Sequence, residues 1–421
     1  MESYAAVLNY GIPFFLILII AEWIWSYYKG VEVNRSFDTV SSLSSGITNI
    51  VKDVLGIAII VVSYKWMYEH IAIFDISAYW WVFVVTFILE DFSGYWAHRW
   101  EHEINIFWNR HMIHHSSEEY NLACALRQNV SAIVGVFFFL YIPMAIIGVP
   151  PKVIAIVAPI QLFAQFWYHT RLIDKMGNLE KILVTPSHHR VHHAINDEYI
   201  DKNFSQIFIV WDKWFGTFQE ELDDVPPVYG IKKPAKTWNP ILINFQHAWI
   251  IAKDAYHTKS WKDKLLVWFK PTGWRPADVI EKYPIEIITN PYTQKKYDTE
   301  GSIGLKIWSF LQLTITVVMT LFMFNHIADY NFAFILLGGL FVMVSVFAYT
   351  TLMDRHQFAI VPEMIKVAIG MVLISTIGGW FGISSIVFSI YLLLSLGLTA
   401  YFSFVDKKGI VADVEYAGER V

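Results

Sequence analysis

Apolar runs long enough to cross a lipid bilayer recur along the chain, at residues 8–28, 47–67, 79–97, 130–149, 152–170, 303–325, 332–350, 361–379 and 383–404. A hydrocarbon core of about 30 Å takes roughly 20 apolar residues as a helix. Helix is also the form that satisfies the backbone where no water is present. The second and eighth runs contain charges that count against crossing, Lys52 with Asp53 and Glu363 with Lys366. Only Pro150 and Pro151 separate the fourth run from the fifth, so this pair also fits a hairpin that enters the bilayer without traversing it. The first run has Met1, Glu2 and Ser3 near its start and Tyr27, Tyr28 and Lys29 at its end. It lacks the basic start and small-residue cleavage site of a removable signal, and reads as an anchor.

Composition agrees with these runs. The 421 residues are 55% hydrophobic, 17% aromatic and only 16% charged, with a mean hydropathy of +0.40. The expected fold is all-α, a helical bundle of a polytopic integral membrane protein. A net charge of -5 leaves no basic footprint for nucleic acid. With a single cysteine, Cys124, no internal disulfide framework is available.

The basic residues orient the bundle. With the N-terminus outside and every run crossing, Lys29, Arg35, Lys52, Arg99, Arg110, Arg127, Arg171, Lys407 and Lys408 all fall inside. Only Lys65 and Lys152 fall outside, as the positive-inside rule requires. A hairpin of the fourth and fifth runs preserves this sidedness. The reading predicts a chemical face in the cytosol, in an endoplasmic reticulum or bacterial inner membrane, where Cys124 stays a thiol.

That face is defined by histidine. Of the 15 histidines, most of those between residues 98 and 193 fall in tight groups: His98 with His102; His111, His114 and His115; His188, His189, His192 and His193. His169 stands alone between the last two groups. The spacings HxxxH and HxxHH place imidazoles on one helix face within about a turn. Neutral imidazole suits iron, zinc and copper, whereas a structural zinc site favours cysteine. So many patterned imidazoles suffice for two metals. The remaining histidines, His70, His247, His257, His326 and His356, have no such pattern.

Two acids, Glu90 and Asp91, interrupt the third run, where ionisable groups are costly and usually functional. Asp91, Tyr95, His98 and His102 fall within about 60° of one another on a helical wheel. Asp91 therefore reads as an acceptor from a ligand histidine, fixing its tautomer. The alternative is an acid paired with Arg99 or Lys52. Beyond residue 225 prolines, lysines and tryptophans replace the apolar runs. Residues 241–256 and 261–269 interleave aromatics with Lys253, Lys262 and Lys264, and Lys270 follows, a pattern that predicts helices lying at headgroup level.

The strings HRWEHE, HMIHHSSEEYN and SHHRVHH resemble those of the fatty acid hydroxylase / sterol desaturase superfamily. HEINIFW, QFWYHT and the stretch from Thr185 to Glu221 resemble its alkylglycerol monooxygenase branch. The likeness runs from about Ser77 to Glu221, and the C-terminal helices match the branch only in number and placement. It implies a di-iron site held by His98, His102, His111, His114, His115, His189, His192 and His193. For His169, ligation and hydrogen bonding to a ligand both stay open, and His188 falls outside the ligand set. Glu103 corresponds to a functional acid of the branch; the alternative is an ion pair with Arg99.

By the same resemblance the reaction is O2-dependent hydroxylation of the carbon beside an ether oxygen of an alkylglycerol lipid drawn from the bilayer, releasing a fatty aldehyde. Tetrahydrobiopterin is the implied external reductant, with the polar block 116–129 as a candidate pocket. The chain contains no GxGxxG, Walker or haem-binding motif of its own. Rival readings are a hydroxylase or desaturase of fatty acids, sterols or carotenoids, and, in another class, a metal-binding or transport protein. The expected organisation is anchors in 1–78, the di-metal catalytic unit in 79–225, an interfacial cap in 226–302, and a bundle with a short tail in 303–421.

Overall fold

The computed structural model describes residues 2–299 and 301–406, with side chains from Leu8 onward. Lys407 and Lys408, used above to orient the chain, lie outside the described residues. The first helix, α1 (Glu2–Lys29), leaves Phe14, Ile17, Ile20 and Ile24 exposed. A helix apolar all round with so little of it covered has lipid as its matching solvent.

The next segment departs from the sequence reading. Residues 36–54 form one helix, α2 (Ser36–Val54), most of it buried, so 47–67 is not a span and Ser36–Ser45 is not a connector. Several of its serines are stabilised inside by partners: Ser44 Oγ donates to the Val40 carbonyl at 2.5 Å and meets Tyr349 Oη at 2.6 Å, and Ser45 Oγ donates to the Gln128 carbonyl. Gly56, at φ 65°, turns the chain just past the helix end. Ile59 then bonds to Ile133, and Ser63 caps the short α3 (Tyr64–Ile71).

The third run is longer than predicted. Helix α4 (Trp80–Glu103) has 24 residues, about 36 Å, and buries Val82, Thr86, Glu90, Asp91, Tyr95, His98 and His102 along one side. A single extended residue, Ile104, reverses the chain into α5 (Asn105–His115). Backbone bonds from Asn105 N to the Lys270 carbonyl and from Ile106 N to the Trp268 carbonyl clamp this reversal. Beyond it, the fourth run breaks into a 3-10 turn and α6 (Ile142–Ile146), and the fifth forms only α7 (Pro151–Ala164), 14 residues long. At about 21 Å, α7 is too short to cross, and neither the fourth nor the fifth run is among the helices long and apolar enough to span.

Short helices follow: α8 (Pro186–His192), α9 (Val210–Phe215), the Asn239-capped α10 (Pro240–His257), α11 (Trp261–Leu266) and α12 (Ala277–Lys282). Four long apolar helices close the described chain: α13 (Ile303–Asn325), α14 (Phe332–Met353), α15 (Ile360–Ile377) and α16 (Ser385–Phe404). With α1 they make five helices long and apolar enough to cross a membrane among the described residues, not nine. The chain is thus a multi-pass membrane protein. A two-residue hairpin of β1 (Gly379–Trp380) and β2 (Ile383–Ser384) joins α15 to α16 and buries Trp380, whose Nε1 donates to the Met319 carbonyl at 2.8 Å. The core around Phe341, Trp380 and Phe388 is shared by α2 and the C-terminal helices. Gly339 permits the close approach, since a Cβ there would lie 2.4 Å from Leu55.

Candidate metal centre

The reversal at Ile104 decides the geometry. Because α5 folds back along α4, the histidines of the two motifs interleave: Nε2 of His98 lies 3.0 Å from Nε2 of His111, and Nε2 of His102 lies 3.1 Å from Nε2 of His115. Helix α8 supplies His189 and His192, and His193 follows it. His169 arrives from the irregular stretch after α7. Its Nε2 is 3.2 Å from that of His114 and 2.9 Å from that of His189, which in turn is 3.0 Å from His193. Two sets result, His98, His102, His111, His115 and His192 in one, and His114, His169, His189 and His193 in the other, with donor atoms within 4.8 Å of each other in each set. The sets touch where the rings of His115 and His193 stack at 4.3 Å.

Several of the outward ring nitrogens are occupied. Nδ1 of His98 bonds the Phe204 carbonyl at 2.7 Å, that of His114 the Arg127 carbonyl, that of His169 the Gln165 carbonyl and that of His192 the Lys202 carbonyl. An Nδ1–H donated outward leaves the Nε2 lone pair facing inward, as a ligand requires. Burial, reinforced by neighbouring imidazoles, holds His98 and His114 down to about 3. The same causes keep His111, His115, His169, His189, His192 and His193 well below the usual histidine range. These rings are neutral at physiological pH.

The donor set fits a metal. Adjacent ligands at right angles with bonds of about 2.1 Å are separated by about 3.0 Å, the spacing of the five nitrogen pairs above. Among the described residues, Nε2 of His192 is buried without a partner, although buried polar atoms normally have one. His188 belongs to neither set: its Nδ1 lies 3.4 Å from Thr185 Oγ1 and its ring meets Phe218 edge-on.

Residues 83–217 match the fatty acid hydroxylase family. The chain is 35% identical to an alkylglycerol monooxygenase from Homo sapiens over 84% of its own length and 79% of that protein, and 32% identical to one from Danio rerio over 89% and 83%. This chain belongs to the alkylglycerol monooxygenase family. An ornithine lipid hydroxylase from Rhizobium tropici is 27% identical over 32% of the chain. No solved structure gives a significant match.

In this alkylglycerol monooxygenase family member, several acids sit differently from the sequence expectation. Asp91 accepts from Ile207 N, Phe208 N, Trp211 Nε1 and Gln161 Nε2, and from no histidine. It pins the 205–211 segment rather than a ring, and it pairs with neither Arg99 nor Lys52. It shares the buried side of α4 with Tyr95, His98 and His102, but its donors come from α7, 70 residues away, and from the 207–211 segment, more than a hundred residues away. Glu103 takes the Arg99 guanidinium at 2.9 Å and is partly exposed, the ion pair weighed above, and it makes no bond to a histidine. The acids that do approach rings are Glu101, 3.6 Å from His111 Nδ1, and Asp201, 3.6 Å from His102 Nδ1. Glu101 also holds Arg110 at 2.9 Å. Sequence reasoning missed both, and the carboxylate directly preceding His102 was the available signal for Glu101.

Buried acids farther out support the carbonyls on which the rings rest. Asp212 accepts from Phe204 N, Ser205 N and Thr217 Oγ1 at 2.7–2.8 Å, fixing the segment whose carbonyl receives His98. Arg127, whose carbonyl receives His114, is held by Asp38 at 2.7 Å, Ser42 and Ser116. The block 116–129 thus spends its polar groups inside the protein: Asn121 binds the Val33 carbonyl, and Glu119 takes Lys296 and Arg171. It offers little to a pterin.

A cavity of about 330 Å³ opens at His102, His115 and His192. Its walls are largely apolar, with Trp108, Met112, Ile195, Ile231, Ile251 and Trp274, and its polar groups include Lys233, His247, Asp254 and Arg275. An apolar cavity with few polar groups beside metal-ready histidines is a suitable place for a lipid.

Proposed function

We propose that this protein is a membrane monooxygenase that cleaves ether lipids, with all nine histidines of the two sets as ligands of a pair of iron ions. The observation that carries the proposal is the convergence of imidazoles into two adjoining sets beside an apolar cavity, in a chain related over most of its length to alkylglycerol monooxygenases. Bound there, iron would supply the O2 activation that attack on an unactivated C–H bond needs.

The protein's own residues perform the rest. The carbonyls of Phe204, Arg127, Gln165 and Lys202 keep lone pairs pointing inward. Trp108, Met112 and the isoleucines exclude water from the reacting end of the cavity. Hydroxylation of the carbon beside the ether oxygen places one oxygen atom of O2 in the C–H bond and releases the other as water, with two electrons and two protons from the reductant. The product is a hemiacetal, which collapses to a fatty aldehyde and the glycerol moiety. Tetrahydrobiopterin is the proposed reductant, and Glu103, whose main-chain carbonyl accepts the Thr272 N–H beside the cavity wall, is the proposed acid.

We place this chemistry in 79–225, the cover in 226–302 and the bundle in 303–421. Support for the cover comes from Gly230–Lys233, α10 and Thr272–Arg275 lining the cavity, while Trp249, Tyr256, Trp261, Leu265 and Phe269 face outward as an interfacial helix pair would. With five crossings and the N-terminus outside, the histidines face the cytosol. The two outer loops, 326–331 and 378–384, contain no Lys or Arg, whereas the inner turn after α14 carries Arg355.

Purified protein with iron, tetrahydrobiopterin, O2 and 1-O-hexadecylglycerol should release hexadecanal. Aldehyde absent from that mixture, with metal bound in full, would refute the ether-lipid reading and favour a metal-binding protein or another hydroxylase.

A further inference from the structure

His247 lines the cavity and is tied to the protein through one ring nitrogen only. Its Nε2 lies 2.9 Å from both the main-chain carbonyl and the side-chain oxygen of Asn105. The Asn105 amide cannot be turned round: Nδ2 donates to the Val267 carbonyl at 2.8 Å and the Trp274 carbonyl at 3.2 Å, while Oδ1 receives Gly273 N. Two oxygens that can only accept therefore face Nε2, which must carry the proton, and Nδ1 is left with its lone pair. Burial above all, with the Lys233 charge, holds this imidazole down to about 4 against the Asn105 bond. The ring is neutral at physiological pH, and Nδ1 is an acceptor.

The protein supplies no donor for it. Among the described residues no hydrogen bond reaches Nδ1, and the neighbouring donors are committed elsewhere. Gln246 Nε2 binds the Ala235 carbonyl, Arg275 binds Asp254 and the Tyr283 carbonyl, and Lys232 pairs with Asp197. Lys233 acts on the ring as a charge and makes no hydrogen bond to it. Asp201 and Asp254, the carboxylates of the cavity, are acceptors themselves. On α10, His247, Ile250, Ile251 and Asp254 share one face and line the cavity together, so the acceptor is set in a largely apolar wall. Whatever fills the cavity gains by bringing a donor to it.

Most polar atoms of an ether lipid cannot be that donor. An ether oxygen, an ester carbonyl and the oxygens of a phosphodiester only accept, and the glycerol hydroxyls alone have a hydrogen to give. Asn105, which holds the ring, is three residues beyond His102, so the acceptor belongs to the metal end of the cavity, where the glycerol next to a reacting ether carbon would lie. We infer that His247 is a specificity-determining residue whose Nδ1 accepts a hydrogen bond from a free glycerol hydroxyl, selecting ether lipids that keep one over those with both hydroxyls blocked. The inference rests on the ether-lipid reading and names which ether lipids the cavity takes. One such bond changes affinity by up to about tenfold.

The test uses the full-length, metal-loaded protein in phosphatidylcholine nanodiscs, supplied with 1-O-hexadecylglycerol or with the two analogues that each lack one of its hydroxyls. Asparagine and glutamine separate the two ring nitrogens, since the Asn side-chain oxygen takes the place of Nδ1 and the Gln side-chain nitrogen that of Nε2. By kcat/KM the wild type should favour 1-O-hexadecylglycerol over at least one analogue by about tenfold. His247→Asn should keep that preference. His247→Gln, which keeps the bond to Asn105, should lose it. A wild type without preference, a preference that persists in His247→Gln, or one lost equally in both variants overturns the assignment. Calorimetry under argon with 1-O-octylglycerol and its two deoxy analogues reads binding without turnover. If no ether lipid is cleaved, but 1-O-octylglycerol binds about tenfold tighter than an analogue in the wild type and not in His247→Gln, the acceptor stands and only the ether-lipid reading falls. Equal binding of all three, whatever is cleaved, ends the hydroxyl selection.

Discussion

Nε2 of His98 lies 3.0 Å from Nε2 of His111, although the rings come from helices joined by a single reversing residue and have their other nitrogens turned away, to the Phe204 carbonyl and toward Glu101. The same contact recurs between His102 and His115. Two motifs that are separate in sequence therefore form one set, while His114, between them on α5, joins the second set with His169. Substitution should respect this division. His111→Ala and His193→Ala, one from each set, should each lower bound iron and abolish turnover while the protein stays in the membrane. Mass-spectrometric metal analysis decides it: wild-type iron content in either variant would show that residue is no ligand.

Asp212 lies behind the first set and binds Phe204 N, Ser205 N and Thr217 Oγ1. Asp212→Ala strands these buried donors at about 1–3 kcal/mol each and frees the carbonyl that orients His98. The melting temperature should fall, and iron should be lost before the helices unfold. A variant that melts early but keeps its full iron would make Asp212 a purely structural residue.

Glu101 and Glu103 are separated by one residue and differ in surroundings. Glu101 lies near His111 Nδ1 and holds Arg110, so Glu101→Gln should weaken metal affinity about tenfold to hundredfold. Glu103 bonds Arg99 at the surface, and only the family resemblance gives it a chemical role. If that role is real, Glu103→Gln keeps its iron and loses activity; wild-type rates would reduce Glu103 to its ion pair.

Legibility followed sequence distance. Helices α13 to α16 were readable because each is an unbroken apolar run of local origin, and α14 matched to within three residues. Helix α2 was not, because its serines look polar in sequence and are buried only through partners such as Tyr349 and Arg127, far along the chain. Residues 130–149 showed enough apolar length to suggest a span, but Gly135 and Pro143 interrupt the helix. At the site, the repeated spacing revealed the histidines themselves. Their division into two sets depends on the fold-back at Ile104, and the supports from Asp38, Asp201 and Asp212 depend on tertiary contacts that no spacing encodes.

Glu363 and Lys366, the charges that counted against the eighth run, are paired at 2.6 Å and fully buried within α15. Lys366 also donates to Ser395 at 2.5 Å, and Ser395 receives Gln312 from α13 at 2.6 Å, so the pair ties three helices of the bundle together. Breaking it from one side leaves a buried charge without its counterion, at about 3–5 kcal/mol. Lys366→Met should therefore melt far below the wild type in detergent. The double variant Glu363→Met with Lys366→Met, which removes both charges at similar volume, should recover most of the loss or exceed the wild type. If the double variant is no better than Lys366→Met alone, the network contributes through its individual hydrogen bonds rather than through charge balance.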